Sequence, residues 1–142
     1  MLPLVPSDPA VELLDWTTRH FEFVLRNNRL IKAAMADAQS HPDMACIGDR
    51  IGTSIELTLR AYLERLRDAG RCAPDVDIAV ASSVLSGVVF ADAMGRDVHP
   101  QCYPYTAEEA PQRYVAFFLR AIGVRDAAPD AVPAREALSH HV

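Results

Sequence analysis

The run Ala61-Tyr-Leu-Glu-Arg-Leu-Arg-Asp-Ala-Gly-Arg-Cys-Ala-Pro-Asp-Val-Asp-Ile-Ala-Val80 decides the fold class. It closes an amphipathic helix, stops at Gly70, turns through Arg71-Cys72-Ala73-Pro74 and restarts at Asp75 or Asp77. Glycine adopts the left-handed backbone that ends many helices, and a short acidic side chain accepts from the free N–H groups that begin one. Upstream, Met44, Ile47, Ile51, Ile55, Leu59, Tyr62, Leu63 and Leu66 recur at helical spacing, with Asp49, Thr53, Glu56, Arg60, Glu64 and Arg67 on the opposite side. This pattern predicts a long helix from about Pro42 to Ala69. Downstream, the stretch from Ile78 to Ala91 carries no charged residue. A helix there, ending at Met94 and stopped by Gly95, is expected to be buried on most sides.

Working outward, Asp8-Pro9 reads as a cap followed by proline in a first helical turn. The first helix is expected to run to about Arg26. Leu13, Leu14, Thr17, Phe21, Val24 and Leu25 form its apolar face, and Glu12, Asp15, Arg19, Glu22 and Arg26 its charged one. Asn27-Asn28 suggests a break or bend before a second helix from Leu30 to Gln39, with Leu30, Ile31, Ala34, Met35 and Ala38 as its apolar side. Near the other end, Thr106-Ala-Glu-Glu109 has the form of a capping box. It opens a last helix reaching Ile122-Gly123, with Ala110, Tyr114, Phe117, Phe118, Ala121 and Ile122 facing inward. The expected organisation is a Pro-rich lead-in over 1–8, a five-helix all-α domain over 9–123, and a disordered tail over 124–142.

Composition bounds the function. Half of the residues are hydrophobic and 23% are charged, a globular balance. The formal net charge of -5 argues against a nucleic-acid binder, which must neutralise phosphates. Cys46, Cys72 and Cys102 show no paired spacing and read as free thiols of a reducing, cytoplasmic setting. No apolar run is read as approaching the roughly 18 residues of a membrane span, so no membrane contact is expected.

The order of pieces from Ala61 to Val80, with the earlier segment from Asn28 to Asp43, resembles the C-terminal domain of TetR-family transcription regulators. The resemblance covers about residues 9–123. It implies a ligand-sensing domain whose last two helices pair with a second copy as a four-helix bundle. The family's helix-turn-helix has no counterpart before Asp8. Direct DNA contact is therefore carried onto no residue here, and DNA would be reached only through a missing segment or a partner.

Within that reading, the dimer interface is expected from Ala79, Ser83, Ser86, Gly87, Phe90 and Met94, joined by Tyr114, Phe117 and Phe118 of the last helix. Small residues allow close helix approach and aromatics anchor an interface. The same stripe could instead pack within one chain. A small apolar or amphipathic ligand is expected among the first, third and fourth predicted helices. Its contacts would be Trp16, His20, Phe23, Gly52, Ile55, Leu59, Val84, Val88 and Asp92. Ordinary core packing accounts for the same aromatics, and a bend or close contact for Gly48 and Gly52.

No catalytic residue is expected. Glu56, Arg60 and Glu64 have the spacing of surface ion pairs, and HExxH, GxSxG and phosphate-binding glycine loops are absent. His99 and Cys102, even with Cys72, fall short of a metal site, so neither metal nor cofactor is expected. Two other classes stay open: an interaction module that pairs with a full-length relative, and a small-molecule-binding domain without a regulatory role.

Overall fold

The computed structural model describes residues 1–124, without the side chains of 44–48. Over these residues the chain is all-helical: α1 (Pro9–Asp37), α2 (Pro42–Asp68), α3 (Ile78–Gly95) and α4 (Ala110–Ala121), with a short 3-10 turn at Pro100–Cys102. The α3 helix packs on α1, α2 and α4, while α1 also packs on α4. Leu13, Phe21, Leu59, Tyr62, Leu63, Leu66, Leu85 and Val89 are essentially sealed from solvent where these helices meet. Each such side chain contributes roughly 1.5–3 kcal/mol by leaving water.

Four helices, rather than the expected five, fill the described residues, because Asn27 and Asn28 do not break α1. The Asn27 side chain donates to the Phe23 carbonyl at 2.7 Å, and Asn28 donates to the Ala93 carbonyl at 3.4 Å. Both amides find partners without displacing the backbone ladder. The trailing part of α1 is then less buried than its apolar pattern suggested, with Leu30 and Met35 exposed. On α2 the stripe divides, since Ile51 is exposed whereas Leu59 to Leu66 enter the core.

Several boundaries follow the sequence closely. Asp8 accepts from the Val11 N–H, and Asp77 from the Val80 N–H. The Thr106–Glu109 capping box is formed in both directions. Gly70 and Gly123 take positive φ beyond the ends of α2 and α4. Gly95 does not; it remains helical, and Arg96 continues the right-handed backbone. Its lack of a side chain instead leaves room for Tyr103, whose hydroxyl donates to the Ala91 carbonyl at 3.1 Å.

The lead-in is docked rather than loose. Leu2 is buried, Arg65 donates to the Pro3 carbonyl, and Arg71 donates to the Ser7 carbonyl. Glu12, expected on the wet face, folds back to accept from the Ser7 and Asp8 backbone N–H groups, the Ser7 hydroxyl and the buried Tyr62 hydroxyl. Burial pushes this carboxyl up, but those hydrogen bonds outweigh it and hold its pKa at about 2. Val124, the first residue of the expected tail, packs against the core; the rest of that expected tail lies outside the described residues.

The expectation that α3 is buried on most sides fails. Ala81, Ser82, Leu85, Val89, Asp92 and Ala93 face the core, but Ala79, Val80, Ser83, Val84, Gly87, Phe90 and Ala91 are exposed. By length and composition alone α3 could cross a membrane, contrary to the sequence reading. Its buried face is nevertheless an integral wall of the helical core, with a paired carboxylate at one end.

Candidate functional site

The outer surfaces of α3 and α4 diverge to leave an open groove of about 370 Å³. Val84, Leu85 and Val88 line it from α3, and Tyr114, Phe117 and Phe118 from α4; Tyr105 and Arg113, whose guanidinium lies 5.3 Å from the Tyr105 ring centre, complete the lining. Phe117 stands on the rim and is two-thirds exposed, whereas Phe118, one residue on, turns about 100° around the helix into the core. That turn corrects the expectation that both rings face a partner, and Ala121 is likewise exposed rather than inward-facing.

A polar network supports the groove from beneath. Asp92 is fully buried on α3, and Arg96, one turn later, forks its carboxylate through Nε at 2.7 Å and Nη2 at 2.9 Å. A second donor is the Tyr114 hydroxyl from α4. Its oxygen also lies 2.7 Å from that of Tyr105. Arg96 reaches the Tyr105 carbonyl at 3.1 Å and sits 5.4 Å from the centre of the Phe21 ring. The Asp92 hydrogen bond stabilises the charged form of Arg96, pushing its pKa up. Burial, and then Asp92, push the Tyr114 phenol well above its ordinary value. The network therefore fixes two groove walls, and its phenol stays protonated. Sequence reading named Asp92 only as a ligand contact; the i, i+4 spacing to Arg96 was the available signal for its partner.

The remaining expected ligand contacts do not converge on this groove. Trp16 and His20 stack along α1 with ring centres 5.4 Å apart, while Phe23 is more than half exposed. Burial lowers the His20 pKa, which favours its neutral ring. A side chain on Gly52 would meet open space, Ile55 is half-buried, and Leu59 is core. Of the nine residues expected to bind one ligand, only Val84 and Val88 line the groove.

Part of the expected dimer stripe also turns inward. Ser86 donates to Glu56 of α2 at 2.6 Å, as does the neighbouring Ser82, which was not in that stripe, also at 2.6 Å; Ser83 reaches the same carboxylate at 3.2 Å while staying exposed. Glu56 is thus not simply a wet-face partner of Arg60, which lies 3.7 Å away. Met94 packs on the core, and Tyr114 is half-buried with its hydroxyl directed at Asp92. Ala79, Gly87 and Phe90 remain on the outer surface.

Cys72 is buried and Cys102 exposed, both as free thiols. Among the described residues no three His, Cys, Asp or Glu side chains come together as a metal site. Comparison with protein-family models, with curated proteins and with solved structures finds no match.

Proposed function

We propose that this chain is a small-molecule-responsive dimerisation domain of the kind its sequence resembles in TetR-family regulators. The observation that carries this reading is the outer face of α3. Ala79, Val80, Ser83, Val84, Gly87, Phe90 and Ala91 are exposed together without a charge among them, and the surface continues across the groove to Phe117. Soluble monomers rarely leave a contiguous apolar patch uncovered. A two-fold pairing covers such a face with its own copy, the commonest solution for homo-oligomers.

The groove lies on the same face and falls within the size range of small-molecule sites. Its apolar walls suit an apolar or amphipathic molecule. A ligand seated there changes the surface offered to the partner, so ligand binding and pairing are thermodynamically linked. Analytical ultracentrifugation across micromolar concentrations tests the pairing. A dimer dispersed by Val84→Asp supports the proposal, whereas a wild-type monomer throughout overturns it. A thermal-shift screen with apolar small molecules, repeated on Val88→Trp to fill the groove, tests the ligand half separately.

A further inference from the structure

The three serine bonds to Glu56 fall at a boundary along α2. Residues 49–54 on its leading side are all exposed, whereas Leu59, Tyr62, Leu63 and Leu66 on its trailing side are sealed in the core. The trailing half of α1 is tied to the end of α3 and the loop beyond it, through Asn28 to the Ala93 carbonyl and Lys32 to Asp97. Ser82 and Ser86, both on the inner side of α3, reach separate oxygens of the Glu56 carboxylate.

We infer that Glu56 and its three serines form a latch that holds the adjoining turns of α2 onto α3, and that releasing it frees residues 49–55 while the rest of the domain stays folded. A carboxylate is suited to this role because one small group accepts several hydrogens at once, and hydrogen bonds to a charged acceptor are worth more than neutral ones. Burial pushes the Glu56 carboxyl up, but the Ser82, Ser86 and Ser83 hydroxyls, with Arg60, outweigh it and hold its pKa below the ordinary value. The latch meets the face proposed for pairing only at Ser83, its longest bond; the two shorter bonds, from Ser82 and Ser86, lie on the α2 side of α3.

Hydrogen–deuterium exchange on the full chain at pH 7 tests it, comparing the wild type with Glu56→Ala. The expected result is exchange at least about 10-fold faster over residues 49–55, with residues 59–66 unchanged, because the lost bonds exceed the 1.4 kcal/mol that corresponds to tenfold. Equal rates over 49–55, or a uniform acceleration along the chain, would overturn the inference. Ser86→Ala removes one bond and no charge. It decides the matter should the glutamate variant not fold: local acceleration over 49–55 supports the latch, and its absence overturns it.

Discussion

Arg96 holds Asp92 from one helical turn away, both guanidinium contacts falling on a carboxylate with no exposed surface. A buried pair of this kind is a weak source of net stability, because both charges are desolvated, but breaking it is costly. Arg96→Ala is expected to destabilise the fold by about 3–5 kcal/mol, since it strands a buried charge. Asp92→Asn should cost less, because it removes the charge that needs a partner. Urea denaturation compares the two, and an equal or reversed order would contradict this account of the network.

Thr17 offers the opposite case. Its side chain is fully buried between Leu13 and Phe21 on α1, and its hydroxyl has no hydrogen-bond partner. Thr17→Val keeps the branched shape and removes an unpaired polar atom. Stability is expected to rise by about 1 kcal/mol, as an unsatisfied buried hydroxyl costs roughly 1–3 kcal/mol. A measured loss would mean that the hydroxyl bonds in solution.

Glu12 gives the lead-in a pH dependence. Its pKa in the folded chain, about 2, lies below the ordinary 4.5, so its contribution is complete above 4.5 and is lost as pH falls towards 2. Denaturation midpoints taken between pH 7 and pH 2 should decline over that window. Glu12→Gln is expected to flatten its share of the decline and to loosen residues 1–8. An unchanged acid profile in the variant would remove Glu12 as the cause.

Phe117 is exposed in the single chain, so losing it should cost the fold little. Phe117→Ser is expected to leave the denaturation midpoint within about 0.5 kcal/mol of wild type. If pairing proceeds through the groove face with Phe117 as an anchor, the same variant weakens association at least about tenfold in sedimentation velocity, as truncating an anchor residue costs about 2 kcal/mol or more. A stable variant with undiminished association would separate Phe117 from the interface.

The helical class and most helix ends were legible because they depend on local chemistry. Asp8, Asp77, Gly70 and the Thr106–Glu109 box each act within a few residues of themselves. The continuity of α1 was not legible, because the Asn28 partner lies 65 residues away on α3. Glu56 was misplaced for the same reason: periodicity assigns a helix face, not the neighbour that later covers it. Ser83 and Ser86 read as small residues and Ser82 was passed over; the crossing of α2 over α3 brings all three within reach of one carboxylate. The candidate site was partly readable. Val84, Val88, Tyr114 and Phe117 were named, whereas the long-range packing that separates Trp16 and His20 from them leaves no trace in a helical wheel.

The end of α4 is tied to the loop between α2 and α3: Ala73 donates to the Ile122 carbonyl at 3.0 Å, and Gly123 brings its backbone against Ala73. A helix end that would otherwise fray is thus pinned to the body of the domain, so α4 carries its side of the groove on a fixed support before anything touches it. Docking on such a platform requires no coupled folding. Its calorimetric signature should be a heat-capacity decrease set by the covered apolar area alone, without the large opposing entropy of a segment that orders on contact.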